Sequence, residues 1–151
     1  SKENINSLNA PSSGPVPFME MFNSVLDGIR QGGKRMGAGM AQFDIYHPDI
    51  LNVIRLKEKE GKLERFNISI RINDEFYEKL NETPNSPHVV YDKDGKQHNL
   101  MDNGKVLTVL DVWNEIIDKA WKSAEPGIFN SDLAYERCTV TNIDSTVSSN
   151  P

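Results

Sequence analysis

Cysteine is nearly absent from this chain, in which Cys138 is the one thiol among 151 residues. One cysteine cannot form a disulfide within the chain, so a small secreted domain held by disulfides is excluded. No apolar run reaches the length of a membrane span, and no signal-peptide pattern follows Ser1. The formal net charge of -5 argues against general attraction to nucleic acid. We therefore expect a cytoplasmic domain that binds neither membrane nor nucleic acid.

Histidine is also scarce, and its spacing indicates no metal site. His47, His88 and His98 form no pair four residues apart, and the chain has no Cys-x-x-Cys. No Gly-x-Ser-x-Gly elbow supports a serine hydrolase. His47 precedes Pro48, and we interpret it as a residue at a helix start. Cys138 lies in a polar segment and is more simply an ordinary thiol than a catalytic one.

The first strong pattern is helical. Residues 1–15 are rich in Ser, Asn, Pro and Gly and indicate a loop. Apolar residues then recur at helical spacing between Phe18 and Ile29. We predict a helix that starts near Pro15 and ends near Gln31, where two glycines interrupt the pattern.

Strand and helix patterns alternate through the rest of the chain. The clearest strand is "FNISIRI", residues 66–72, in which apolar and polar residues alternate strictly. The other predicted elements are a strand at 40–46, a helix from Pro48 to Gly61, a short helix capped by Asn73, a hairpin turning at Asp94-Gly95, a helix with a Thr108–Asp111 capping box, a short strand at 128–130 and a final polar loop of about twenty residues. This order predicts an α/β sheet with parallel neighbours. With only three convincing strands, we expect part of a larger sheet or barrel.

The glycine-rich stretch "RQGGKRMGAGM", residues 30–40, fails both standard phosphate-binding patterns. Lys34 is followed by Arg35, so no hydroxyl is placed as in a Walker A loop. The stretch follows a helix and opens a strand, the reverse of the dinucleotide-binding order. Two interpretations remain open: a flexible connection with solvated cations, or a loop whose backbone approaches a ligand that Lys34 or Arg35 contacts.

Four segments carry a family resemblance across nearly the whole chain: "SSGPVPFMEMFNSVLDGIRQGGKRMGAGM", "YHPDILNVIRLKEKEGKLERFNISIRINDEFYEKL", "VWNEIIDKAWKSAEPGIF" and the terminal "SSNP". In this order they resemble the catalytic (large) subunit of ribonucleotide reductase. The segment "EPGIF", where the preceding helix ends, and the terminal Asn-Pro look most like the adenosylcobalamin-dependent class. An iron or manganese radical subunit is the alternative cofactor.

The resemblance implies part of a ten-stranded α/β barrel that reduces ribonucleotides to deoxyribonucleotides by thiyl-radical chemistry. Asn150 falls on the asparagine of the family's Asn-Pro-Cys-Gly-Glu motif, which implies a catalytic and substrate-binding role. Pro151 is implied to contact substrate beside it. Ser13 and Gly14 are implied to lie against the substrate. Cys138 matches none of the family's redox cysteines.

The same resemblance assigns the glycine stretch to an allosteric specificity loop between a dNTP or ATP effector and the substrate base. The implied loop residues are Gln31, Gly32, Gly33, Lys34, Arg35, Met36, Gly37 and Ala38, with Gln31 and Arg35 reading the base. The implied division is a loop at 1–15, an effector-site and dimer helix at 16–31, a specificity loop at 32–39 and barrel elements at 40–151. The helix is implied to pack against the same helix of a second copy in a homodimer.

We therefore expect a reductase segment that is inactive alone. Its expected partners are the C-terminal part of the chain, which carries the radical cysteine, a ribonucleotide substrate and a dNTP effector. One alternative is the N-terminal host (extein) piece of a split or intein-interrupted reductase. Another is a nucleotide-binding module without catalysis.

Overall fold

The computed structural model describes residues 4–5, 10–11, 13–31, 35–58 and 61–138. The helices are α1 (Val16–Gly28), α2 (Ile50–Ile54), α3 (Asp74–Glu82), α4 (Val109–Ser123) and α5 (Ser131–Glu136). The strands are β1 (Asn4–Ile5), β2 (Ala10–Pro11), β3 (Arg30–Gln31), β4 (Arg35–Met36), β5 (Gly39–Asp44), β6 (Phe66–Ile72), β7 (Val89–Tyr91), β8 (Gln97–Asn99), β9 (Met101–Asp102), β10 (Lys105–Val106) and β11 (Gly127–Asn130). No helix in these ranges is long and apolar enough to cross a membrane.

A three-stranded parallel sheet in the order β11–β6–β5 forms the centre of the fold. β5 and β6 pair from Gly39 opposite Phe66 onward, and β11 joins the other side of β6. Parallel pairing requires crossovers, which α2 and the α3–α4 region supply. The predicted parallel α/β sheet is therefore confirmed, and the three described strands do not close a barrel.

The central strand β6 is buried on one face, as its alternation predicts. Ile68, Ile70 and Ile72 are at most 2% exposed and belong to one apolar cluster. That cluster also takes in the apolar side of α2 and residues from the later elements: Ile50, Val53, Phe76, Val90, Leu100, Leu107, Val109, Val112 and Ile116. One shared core therefore fixes α2, α3, α4 and the hairpins against the sheet.

His88 lies inside this core, where it links distant parts of the chain. It is 1% exposed, and its Nε2–H donates to the Ile45 carbonyl at 3.0 Å. Its ring stacks on Tyr46 and meets the edge of Phe76. Burial lowers the pKa of His88, so the neutral imidazole is the folded form.

Both predicted helix caps are confirmed. The Asn73 side chain accepts from the Phe76 amide at the start of α3. Thr108 and Asp111 form a reciprocal capping box at the start of α4, with bonds of 3.1 and 3.0 Å. The predicted turn at Asp94-Gly95 joins the paired strands β7 and β8. These features depend on a few neighbouring residues, which explains why local pattern predicts them.

Several predicted bounds are wrong. The helix expected to reach Gly61 ends at Ile54, because the following backbone bonds, Leu56 to Val53 and Glu58 to Arg55, span three residues as tight turns. The predicted final loop contains α5, whose first turn is capped by the Asn130 side chain. A second small hairpin, β9–β10, was not predicted.

Candidate functional site

In the glycine-rich stretch, the described residues on either side of 32–34 pair as two short antiparallel strands. β3 pairs with β4, with Arg30 opposite Met36 and Gln31 opposite Arg35. The Gly37 amide extends the pairing by donating to the Ile29 carbonyl at 3.3 Å. We call the paired residues 30–31 and 35–36 the specificity hairpin, after the loop that the family resemblance places here.

The hairpin brings together the two residues that the family resemblance assigns to base reading. Gln31 and Arg35 stand at directly opposite positions of the ribbon. The Cα atoms of directly opposed residues in such a pair lie about 4.5–5.5 Å apart. Gly32, Gly33 and Lys34 lie outside the described residues, as do Asn150 and Pro151.

Two glycines at the C-terminal foot of the hairpin lie in close contact with neighbouring side chains. A Cβ at Gly37 would lie 2.9 Å from Leu26 Cδ2, on the inner side of α1. A Cβ at Gly39 would lie 2.7 Å from Phe66 Cε1, on the first residue of β6. Ala38, between them, is exposed. The C-terminal foot of the hairpin is therefore held closely against both α1 and β6.

Helix α1 contacts the rest of the chain through polar residues and through Met19, which is 6% exposed and belongs to the core. Asn23 Oδ1 accepts from the Arg65 amide at 2.9 Å, and Asp27 Oδ1 accepts from Arg65 Nε at 2.6 Å. Glu20 pairs with Lys62 at 2.5 Å. The contacted segment, residues 61–65, leads directly into β6.

The apolar side of α1 faces away from these contacts. Five large apolar residues of α1 and its C-cap recur at helical spacing, and each is 50–57% exposed: Phe18, Met21, Phe22, Val25 and Ile29. We call these five residues the α1 stripe. A stripe of this kind is normally buried against another surface, and the described residues of this chain do not bury it.

Ser13 and Gly14 lie at the other end of α1 from the hairpin. Gly14 is buried and has a φ of +75°, a conformation that favours glycine. Ser13 is exposed. The 13 residues of α1 separate this end from the hairpin by about 20 Å. The structure thus places Gln31 and residues 35–38 at one end of α1, and Ser13 and Gly14 at the other.

The carboxyl ends of the sheet carry a separate polar set that the sequence interpretation did not identify. The Tyr46 hydroxyl donates to Asn73 Oδ1 at 3.3 Å, and Ser131 Oγ donates to the Ile72 carbonyl at 3.2 Å. Burial, followed by the charge of Glu75, raises the pKa of Tyr46 well above its usual value, so the phenol stays protonated. The carboxyl ends of parallel strands are a common place for ligands in α/β sheets.

A cleft of about 810 Å³, lined by both polar and apolar residues, lies between α2 and the β7–β10 hairpins. Its one arginine, Arg55, is already engaged by Asp102 at 2.9 Å and by Glu115 at 2.6 Å. These bonds raise the pKa of Arg55 above its usual value. The ion pairs therefore join α2 to α4 and β9, a structural use of the charge. Within the ranges described, His, Cys, Asp and Glu form no cluster of three that could hold a metal ion.

The family model for the ribonucleotide reductase barrel domain matches residues 1–151. The chain belongs to this family.

Named relatives agree with the match. The chain is 37% identical over 148 residues to a vitamin B12-dependent ribonucleoside-diphosphate reductase of Thermoplasma acidophilum, covering 97% of this chain and 18% of that relative. It is 36% identical over 75 residues to the enzyme of that name from Mycobacterium tuberculosis, covering 49% of this chain and 11% of the relative. It is 24% identical over 172 residues to the ribonucleoside-diphosphate reductase large subunit of Arabidopsis thaliana, covering 97% of this chain and 20% of that relative. The chain thus spans about a fifth or less of these relatives.

Proposed function

We propose that this chain is the effector-sensing segment of a ribonucleotide reductase catalytic subunit. The whole enzyme reduces ribonucleotides to deoxyribonucleotides by thiyl-radical chemistry and so supplies DNA synthesis. The observation that carries the proposal is the register of the specificity hairpin, with Gln31 opposite Arg35 at the end of α1. The family match supports the reaction, and the register supports the sensing role.

The opposed pair suits recognition of a nucleobase. An Arg guanidinium only donates hydrogen bonds, whereas a Gln amide both donates and accepts. A change in the hairpin would present a different set of donors and acceptors to the substrate base. A site that hydrogen-bonds one base rejects another when its polar groups are left unpaired. Gly32 and Gly33 would let the backbone approach the nucleotides, with Lys34, Met36, Gly37 and Ala38 completing the loop.

The α1 stripe provides the surface for a homodimer in this proposal. Five half-exposed apolar residues at helical spacing suit helix-to-helix packing. A dNTP or ATP effector would then bind close to the dimer contact and the hairpin. Ser13, Gly14, Asn150 and Pro151 would contact the ribonucleotide, and Asn150 would act at the reacting sugar.

The cofactor proposed for the whole enzyme is adenosylcobalamin, with an iron or manganese radical subunit as the alternative. Two of the relatives named above are vitamin B12-dependent. The cofactor supplies the radical when bound.

Replacement of Arg35 by alanine tests the sensing role in the full-length reductase that we propose carries this segment. We expect Arg35→Ala to change the substrate preference that each effector induces by about tenfold. The measurement is the ratio of kcat/KM for competing ribonucleotides with each effector. Lys93→Ala is the control, because Lys93 is an exposed cation whose ion pair is with the adjacent Asp94. An equal loss of activity for all substrate and effector pairs would refute the proposal.

A further inference from the structure

Arg65 contacts both elements that flank the specificity hairpin. Its Nε donates to Asp27 Oδ1 at 2.6 Å, and its amide donates to Asn23 Oδ1 at 2.9 Å, both on α1. Its carbonyl accepts from the Gly39 amide at 2.7 Å, at the start of β5. α1 precedes the hairpin and β5 follows it, so one residue bonds to the structure on both sides.

The segment that carries Arg65 is anchored to the core. Leu63 is 2% exposed and has a φ of +48°, and its carbonyl accepts from the Phe66 amide at 2.9 Å. Lys57 Nζ donates to the Phe66 carbonyl and to Glu125 at 2.6 Å. The backbone at Arg65 is therefore held in place. A movement of α1 would strain its hydrogen bonds to Asn23 and Asp27.

The hairpin has one foot on each of the elements that Arg65 joins. Its N-terminal foot follows Ile29 directly at the end of α1. Its C-terminal foot leads through Gly37 and Gly39 into β5. A shift of α1 relative to β5 changes the spacing of the two feet. Because the ribbon is only two residues long on each side, such a change would disturb the pairing of Gln31 with Arg35.

We propose that Arg65 is the positioning residue that transmits a displacement of α1 to the specificity hairpin. This inference rests on the proposed function of the hairpin as a nucleotide sensor. Arg65 makes no contact with substrate in this proposal. It acts by holding α1 and β5 at the spacing that sets the hairpin.

The exposure of the ion pair separates this role from simple stabilisation. The Arg65 side chain is 25% exposed and the Asp27 side chain 50% exposed. Ion pairs so open to water contribute little to folding stability. Loss of the pair should therefore leave the fold in place and change the response to effectors.

The experiment is a charge cycle in the full-length reductase: Arg65→Met, Asp27→Asn, and the swap of Arg65→Asp with Asp27→Arg. The readout is the ratio of kcat/KM for two competing ribonucleotides, with and without each effector. We expect each single variant to reduce the effector-induced change in that ratio by about fivefold or more. The swap should restore part of it. Asp27→Asn removes the charge without changing Arg65, so it tests the coupling even if Arg65→Met fails to fold.

Lys62→Met is the matched control. It breaks an ion pair of 2.5 Å to Glu20, from the same segment to the same helix. We expect it to leave the effector response unchanged. The proposal is overturned if Arg65→Met and Asp27→Asn respond to effectors as the parent does, or if Lys62→Met alters the response equally. If Arg35→Ala shifts the preference while the Arg65 variants do not, only the role of Arg65 fails. If Arg35→Ala also has no effect, the sensing function itself fails.

Discussion

Gly39 and the ring of Phe66 are in such close contact that an added methyl group has no space. A Cβ at Gly39 would lie 2.7 Å from Cε1, 3.0 Å from Cζ and 3.1 Å from Cδ1 of that ring. The two residues also begin the pairing of β5 with β6. The contact thus fixes where the hairpin ends and the central sheet begins.

Replacement of Gly39 by alanine should lower the free energy of unfolding by about 1–3 kcal/mol, because the ring must move within a packed region. Thermal unfolding measures the change. Gly28→Ala is the control, since a Cβ at Gly28 would meet nothing within 4 Å. It should be neutral or stabilising by up to about 1 kcal/mol, as alanine favours the helix. Equal destabilisation by both variants would contradict the packing argument.

The buried His88 should make stability fall at mildly acidic pH. Its folded pKa is lowered below 6.5, chiefly by burial, so the unfolded chain binds a proton more readily. This contribution is complete above the unfolded pKa of about 6.5 and decreases as the pH falls below it. The measurement is Tm between pH 7.5 and 5, values chosen to span about one unit or more on each side of that pKa.

His88→Gln removes this titration, so Tm should depend less on pH. The variant should also lower Tm at pH 7, because it loses packing in the core. His98→Gln is the control, because His98 lies on an exposed hairpin beside Asp92 at 2.7 Å. That variant should keep the downward slope toward acid. A steep slope that persists in His88→Gln would assign the effect to another group.

Lys57 joins three parts of the chain and should matter more than an exposed lysine. Its Nζ contacts the Phe66 carbonyl and Glu125, and the two charged side chains are only 17% and 20% exposed. Glu125 also accepts from the Ile68 amide at 3.1 Å. Lys57→Met should lower the free energy of unfolding by about 1–3 kcal/mol, because it leaves a mostly buried carboxylate without its cation.

Lys93→Met provides the comparison for Lys57. The Lys93 side chain is 47% exposed, and its ion pair with Asp94 reaches a carboxylate that is 73% exposed. Its loss should change stability by less than about 0.5 kcal/mol. Urea denaturation of the two variants side by side tests the difference, and similar losses would show that burial does not decide the effect.

A charge in the α1 stripe should weaken the proposed homodimer. Phe22 is 54% exposed in the chain, and Phe22→Glu would bury a carboxylate if α1 packs against a second copy. We expect the dimer dissociation constant to rise about tenfold or more, measured by sedimentation of the full-length reductase. Met101→Glu, at a similarly exposed position on β9, should leave association unchanged. An unchanged dimer in Phe22→Glu would place the contact elsewhere.

Features set by neighbouring residues were predictable. The alternation of residues 66–72, the Asn73 cap and the Thr108–Asp111 box appear in the structure as expected. The length of α2 was not, because turns of three residues replace the helix after Ile54. The family resemblance identified Gln31 and Arg35 together, but composition alone left the glycine stretch as either a solvated connection or a ligand loop.

By itself, then, the sequence determined the types of the main elements, several of their caps and the family. Helix periodicity, strand alternation and capping depend on spacings of two to four residues, which a linear pattern records. The tertiary structure alone decided that Arg65 hydrogen-bonds to both Asp27 and Gly39. It also decided that the Phe66 ring packs where a side chain at Gly39 would lie. Those contacts join residues tens of positions apart, and many other polar or apolar residues in the sequence were equally plausible partners.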